Sequence, residues 1–495
     1  MSRWWLALPP AAGLLAALAW GPTDGLTRDE AVYAYAGQRL ADGVPPYASI
    51  ADPKGPVATV LASLGVVVAR LAGFGDLVGV RAAFLATTLA AGVVVALLAH
   101  ALWGSRPAAV VAGVALVTSA GLARDAVGGP DAKTPAVLLV ALVLLLVVRE
   151  RWLAAGVAAG LACLTWQPLA LPLVALLVVT LLRVDERRRV LARAVVGAAV
   201  VGSLTVAGLW AAGSLAEAVD AAVAYPLFGI RHGEPGLAAT LGRAGRAAER
   251  GYGAGAVGLA VGLLVVLVAA FCARRRWRTD PLVHTVAPVL LVTSAYLCLD
   301  LQGYPDLLPL LPHAALGLGL LVRDRRRVVA GGLALVLLGT AVATARTAEG
   351  RHELVRQLRA ACGVERLLGD TGRLWTLGDP SPLVLTGRAN PDRHVLLSSG
   401  AGGWRADRVA GGVDEWARRV AATADVVVLR GSRGPVAVGL ADRLTAAGFV
   451  PGWVGPWRVL VRPSTLGADV RVADRYALVA RDRAGRPLPA DPATC

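Results

Sequence analysis

Long stretches of this chain carry almost no charge, and that limits what it can fold into more than any other feature. Residues 134–148, 253–271 and 281–299 are runs of this kind. A run approaching about 20 apolar residues matches the hydrocarbon thickness of a bilayer. Of the 495 residues, 56% are hydrophobic and only 17% charged, where a soluble chain carries about a quarter charged. A soluble globular domain is therefore excluded, and the expected fold is an α-helical polytopic membrane protein.

The formal net charge of +16 does not point to nucleic acid, because no basic face carries interleaved aromatics. Much of the excess sits in short clusters between apolar runs: Arg187 to Arg189, Arg274 to Arg276 with Arg278, and Arg323 with Arg325 to Arg327. Short basic loops beside membrane spans are what the positive-inside rule expects. The five cysteines make no metal or redox pattern. Cys163, Cys272 and Cys298 fall in apolar runs as small hydrophobes, while Cys362 and Cys495 lie outside them and are free to pair.

Charge also decides which runs cross. With Arg3 cytoplasmic and residues 57–73 spanning, the later arginine clusters would all land outside, against the rule. With 57–73 lying along the outer surface, they land inside. That segment is short, contains Arg70 and follows a Lys-Gly-Pro turn, all of which suit an interfacial helix. Residues 152–182 have basic flanks on both sides and a break at Trp166-Gln167-Pro168, which predicts two short spans meeting at an outer turn. Residues 4–20 are read as an uncleaved first span, although Ala17-Leu18-Ala19 resembles a signal-peptide cleavage site. The sum is about eleven spans in a cell membrane, with the N-terminus cytoplasmic and the C-terminus outside. The outer loops are then 21–77, 124–133, 214–252 and 299–306.

Beyond residue 346 the composition turns mixed. Leu374–Leu377, Val395–Leu397 and Val426–Leu429 read as short buried strands, and 414–423 and 439–448 as helices, the second stopped by Gly448. Residues 1–346 thus form a membrane module and 347–495 a small extracytoplasmic α/β domain, its last ~30 residues poorly ordered. Asp379-Pro380 and Gly400 to Gly403 read as turns, not a phosphate cradle.

The outer loops gather polar residues that are expensive beside a bilayer unless solvated or used. The first contains Thr27-Arg28-Asp29-Glu30-Ala31-Val32-Tyr33, then Gly43-Val44-Pro45-Pro46-Tyr47, then Asp52-Pro53-Lys54-Gly55-Pro56. The second contains Arg124-Asp125 and Asp131-Ala132-Lys133, and a later one Asp300 to Asp306. Thr27-x-x-Glu30 is a capping box, and a helix-dipole contact by itself accounts for Asp29. Lys54 and Lys133 could snorkel. They are, however, the only lysines, each beside an aspartate (Asp52, Asp131), where a compact ammonium differs in kind from arginine.

These loops resemble those of the GT-C superfamily of polyprenyl-phosphate-sugar-dependent glycosyltransferases, in particular the protein O-mannosyltransferases and lipid A aminoarabinose transferases. The family's Asp-Glu pair after the first span falls on Asp29-Glu30, its Gly-x-x-Pro-Tyr segment on Gly43 through Tyr47, and its Lys-Pro-Pro turn on Lys54-Gly55-Pro56, with glycine for the middle proline. Arg81 matches an arginine at the start of the second span. Asp125 and Asp131 compete for a second acidic position, and Asp131 is the choice. Trp375 through Asp379 resembles part of the extracytoplasmic tail of some members.

The resemblance implies a membrane enzyme that moves a sugar, of mannose or arabinose type, from a polyprenyl-phosphate donor to an acceptor hydroxyl with inversion. The acceptor is a glycan, lipid or protein. Asp29 would act as general base, with Asp131 binding sugar, holding an ion or orienting Lys54. Lys54 and Arg81 would meet the departing phosphate. Glu30, Tyr33, Asp125, Lys133, Tyr304 and Asp306 are candidates for the pocket, and Arg231-His232 in the long outer loop reads as solvated. Hard oxygen ligands would suit magnesium or manganese, but no ligand set and no certain cofactor is legible. A flippase or transporter of the same lipid is the alternative. Transporters carry charges within spans and internal repeats; here the acids crowd one face and no repeat is visible.

Overall fold

The structure is a computed structural model that describes residues 4–21, 24–128, 131–229, 237–325, 327–347, 353–396, 399–429 and 434–465. Arg231, His232, Cys495 and the last 30 residues lie outside the described residues, so the readings made for them stay as expectations.

The apolar runs form helices, the element that satisfies its own backbone groups where water is absent. Leu8–Trp20 (α1) is followed by Arg28–Ala41 (α2), Val57–Leu71 (α3) and the long Asp76–Trp103 (α4). Gly104 ends α4 in a left-handed conformation, and the Ser105 hydroxyl accepts from the Ala108 amide to start Arg106–Val117 (α5). Ala120–Gly128 (α6) continues α5 after a bend of 54°. Lys133–Val148 (α7) and Trp152–Thr165 (α8) come next. Pro168 has no amide hydrogen to extend α8, so the chain turns at Trp166-Gln167-Pro168 and resumes as Ala170–Arg183 (α9). Arg187–Ala211 (α10) leads into a short helix, Leu215–Val219 (α11), and then the polar Leu237–Tyr252 (α12). Gly255–Ala273 (α13), Ala287–Leu299 (α14), Leu311–Leu321 (α15) and Arg327–Thr347 (α16) complete the bundle.

Among the described residues five helices, α4, α10, α13, α14 and α16 with their flanking turns, are each long and apolar enough to cross a membrane, and the bent α5–α6 pair makes a sixth. The regions of α1, α3, α7, α8 and α9 are shorter apolar helices.

Both ends of α3 lie among the loops and the tail. At one end Gly55 packs against the backbone of Leu164, next to the Trp166 turn. At the other, Arg70 binds Asp42 and both oxygens of Asp76, while Gln38 bridges Asp76 to the Val384 carbonyl of the tail. Gly65 of α3 and Gly79 of α4 touch so closely that a methyl group on either would overlap the other's carbonyl oxygen. The opposite face presents Leu64, Val68 and Leu71 outward.

The tail folds as Glu353–Leu368 (α17), Leu374–Thr376 (β1), Ser381–Thr386 (α18), Ser399–Ala406 (α19), Gly412–Thr423 (α20), Val426–Val428 (β2), Pro435–Ala446 (α21), Val450–Val454 (β3) and Trp457–Val461 (β4). The sheet order is β1-β2-β4-β3, with β1 parallel to β2 and the other pairs antiparallel. Gly448 follows α21 at φ 92°, a conformation glycine adopts freely. Two expectations need correction, and one element was missed. Val395 and Leu396 are irregular, Val395 being held by the Gly378 amide on its carbonyl rather than by a strand. Gly400 to Gly403 lie inside α19 and are not turns. The β3–β4 hairpin was not anticipated, because Pro451, Gly452 and Gly455 disguise its alternation.

The tail shares its core with the first loop. Tyr33, Tyr35 and Ile50 pack in one apolar cluster with Val364, Leu374, Val426 and Trp457. The Asn390 amide donates to the Tyr35 hydroxyl at 2.8 Å, and the Ala51 amide to the Arg393 carbonyl at 3.0 Å.

Candidate active site

α2 begins where the sequence places its cap. The Glu30 amide donates to Thr27 Oγ1 at 3.3 Å, and the Thr27 amide to Glu30 Oε2 at 2.7 Å. This turns Glu30 inward, where it is buried, and leaves Asp29 outward with its side chain 59% exposed beside Arg28 at 3.2 Å. Burial pushes the Glu30 carboxyl up to about 7, against the lowering effect of the Thr27 hydrogen bonds.

The Lys54 turn is built from its own neighbours. The Tyr47 hydroxyl donates to the Lys54 carbonyl at 2.7 Å, and the Lys54 amide donates to Asp52 Oδ1 at 3.2 Å. Gln167, in the turn between α8 and α9, donates to the Pro53 carbonyl at 2.9 Å. The ammonium of Lys54 stands 5.3 Å above the buried Tyr33 ring. Burial raises Asp52 to about 6 in spite of Lys54. Burial would also lower Lys54, but Asp131, Asp52 and Asp29 outweigh it and hold the ammonium above its ordinary value.

Asp131 answers that charge from the second loop. Its Oδ1 accepts the Lys133 amide at 2.7 Å. Burial alone would raise it, yet the ammonium groups of Lys54 and Lys133 bring it below the usual carboxylate range. Lys133 reaches Asp306 Oδ1 at 2.7 Å and lies 5.6 Å over the Trp166 ring. Asp306 Oδ2 accepts the amides of Gln302 and Gly303 at 2.7 and 2.9 Å. Tyr304 donates its hydroxyl to Asp125 Oδ1 at 2.5 Å, with the Arg124 guanidinium 4.4 Å above its ring.

Arg81 bridges the two loops: its Nη2 donates to the Asp24 carbonyl at 2.7 Å and the Gly128 carbonyl at 2.5 Å.

A cavity of about 490 Å³ opens among these elements. Asp29, Glu30, Asp125, Asp131 and Tyr304 line it, so both competitors for the second acidic position face the same space. Lys54, Lys133, Tyr33, Asp306 and Arg81 are not among the residues that line it. Four polar lining residues were not among the site candidates read from the sequence: Asp24, and Glu353, Gln357 and Asp379 from the tail. For Asp379 a signal existed in the Trp375–Asp379 stretch; for the α17 residues none did, since they look like ordinary helix surface. Among the described residues no group of three or more His, Cys, Asp or Glu side chains is placed to hold a metal ion.

No family model matches the sequence, and no curated protein matches it. Solved structures do. ArnT from Cupriavidus metallidurans in the apo state superimposes with a TM-score of 0.65 at 15% identity, over 94% of this chain and 99% of that one. The same protein bound to undecaprenyl phosphate gives 0.65 and 15%, over 93% and 98%. The archaeal oligosaccharyltransferase AglB from Archaeoglobus fulgidus, in complex with an inhibitory peptide and a dolichol-phosphate, gives 0.53 and 14%, over 95% and 75%.

Proposed function

On the GT-C fold that those superpositions establish, we propose that this chain is a membrane glycosyltransferase. It takes a sugar of mannose or arabinose type from a polyprenyl-phosphate donor and passes it to an acceptor hydroxyl. The reaction faces the outer side of a membrane that the chain crosses about eleven times.

The observation that carries this reading is the pairing of two unlike environments in one cavity. Asp29 is exposed and faces the cavity, while Asp131 faces the same cavity with its carboxyl lowered by the charges of Lys54 and Lys133. Asp29 takes the proton of the acceptor hydroxyl. The freed oxygen bonds to the anomeric carbon from the side opposite the phosphate, and the carbon–oxygen bond to phosphate breaks with its electron pair on the phosphate. Lys54 meets that charge as it develops, when electrostatic help is worth most. Asp131 orients Lys54. Arg81, engaged with the carbonyls of Asp24 and Gly128, is assigned to holding the loops rather than to the phosphate, and no step runs through a divalent cation. The bound undecaprenyl phosphate and dolichol-phosphate of the two structural neighbours support the donor class.

The test is sugar transfer by purified protein in liposomes from polyprenyl-phosphate mannose and polyprenyl-phosphate arabinose. Asp29→Asn should lower turnover about 10²–10⁴-fold while the protein still inserts. Near-normal turnover would remove Asp29 from this role. Donor crossing the bilayer without any transfer would put a flippase in place of the enzyme.

A further inference from the structure

The Lys54 turn takes much of its support from the tail. Arg405, in the last turn of α19, is buried with 4% of its surface exposed. One of its terminal nitrogens donates to the Leu396 carbonyl and the other to the carbonyl of Ala51, the residue immediately before Asp52. The Ala51 amide in turn donates to the Arg393 carbonyl, so both polar backbone groups of Ala51 are held by the tail.

Neighbouring contacts close a ring about the turn. Trp404, beside Arg405, packs against Tyr225 with ring centres 6.0 Å apart, and Arg408 reaches Asp220 Oδ1 at 2.6 Å. Both partners belong to the Asp220–Gly229 segment. Gln167 donates to the Ala222 carbonyl of that segment and to the Pro53 carbonyl, each at 2.9 Å. The turn is thus tied to the tail at Ala51 and, through Gln167 at Pro53, to the segment on which the tail rests.

Two carbonyls need donors, not a charge, and a buried guanidinium is costly where a neutral donor would serve. The charge finds its use at Asp52. Burial opposes ionisation of that carboxyl, while Lys54 and then Arg405 favour it. Asp52 Oδ2 has no hydrogen-bond donor among the described residues, which leaves its charge dependent on nearby cations. Asp52 accepts the Lys54 amide, and against burial Asp131 and Asp52 together hold the Lys54 ammonium charged.

We propose that Arg405 is a positioning residue: acting through Asp52, it holds the Lys54 turn so that the ammonium stands where transfer occurs. The tail is then a working part of the donor side of the site and not a separate module. The functional half of this assignment rests on the transfer reading above; the positioning is measured without it.

Lys54 and Lys133 are the only lysines in the chain, so acetic anhydride at limiting dose reports on both in one digest. The full chain is labelled in neutral detergent and read by mass spectrometry, with Lys133 as the internal reference. Arg405→Gln should raise the labelling rate of Lys54 severalfold and leave that of Lys133 unchanged. Arg405→Lys, which restores a cation beside Asp52, should bring the rate most of the way back. Asp52→Asn should reproduce the rise with the tail untouched, and carries the test alone should Arg405→Gln fail to fold. Combining the two should add little to either, as residues acting in series do. In liposomes, Arg405→Gln should lower turnover more than it raises the donor KM. Equal changes at both lysines, no change at Lys54, or independent effects of Arg405 and Asp52 would overturn the assignment. The expected labelling without any transfer by wild type would uphold the positioning and remove the transfer reading instead.

Discussion

The carboxyl of Glu30 completes the cap of α2 and, being buried, keeps its proton up to about 7 where its ordinary value is 4.5. The folded state therefore binds that proton more tightly than the unfolded chain. Stability from this source is complete below pH 4.5 and is lost as pH rises through about 7. Asp52, raised by burial from 3.8 to about 6, acts in the same direction. Glu30→Gln keeps a side chain able to complete the cap, so it should flatten the decline in melting temperature between those pH values. Adding Asp52→Asn should flatten it further. An unchanged slope in both would show that other groups set it. The cap was legible from the spacing of Thr27 and Glu30 alone. The inward turn of Glu30 beside an outward Asp29 was not, because spacing says which residues share a turn but not which side meets the core.

Helices α2 and α17 meet through one side chain at the edge of the cavity. Gln357 donates to the Leu26 carbonyl and accepts from the Leu26 amide, both at 2.9 Å, and both residues are buried. The clamp holds the strand-like segment that leads to Thr27 and Asp29. Gly25 sits so near Glu353 that an added methyl group would overlap it, which leaves the segment little room to shift. Gln357→Ala orphans two buried backbone groups at about 1–3 kcal/mol each. It should speed hydrogen exchange across residues 24–30 and lower turnover more than donor affinity. Exchange equal to wild type would show that the clamp is dispensable. Helix α17 was not read from the sequence, and nothing local showed that residue 357 reaches residue 26. Contacts of such sequence separation are set by how whole elements dock.

Across the whole molecule, the topology read from charge puts the basic clusters at one end of the bundle and the acidic loops at the other. Ser105 Oγ donates to the Arg323 carbonyl at 2.9 Å, which brings two of the loops read as cytoplasmic together. With the proposed orientation, epitope tags inserted at Ser105 or Arg188 should stay hidden from external reagent in intact cells, and a tag within 300–303 should be reached. Labelling at Arg188 would invert the topology and place the cavity on the wrong side. Hydrophobic runs, arginine clusters and the Trp166 break determined the helical membrane fold from the sequence alone, since bilayer thickness and the cost of burying charge act on each segment independently. The spacing of Thr27 to Glu30 also marked one wall of the site, and the place of Lys133 beside Asp131 marked a second lining residue. Tertiary structure alone decided that Lys133 pairs with Asp306, that Asp125 is bound to Tyr304, that Arg81 ties two loops together, and that the tail closes the cavity with Gln357 and Asp379. Each of these joins residues far apart in the chain, and a charge finds its partner through packing rather than through its neighbours in sequence.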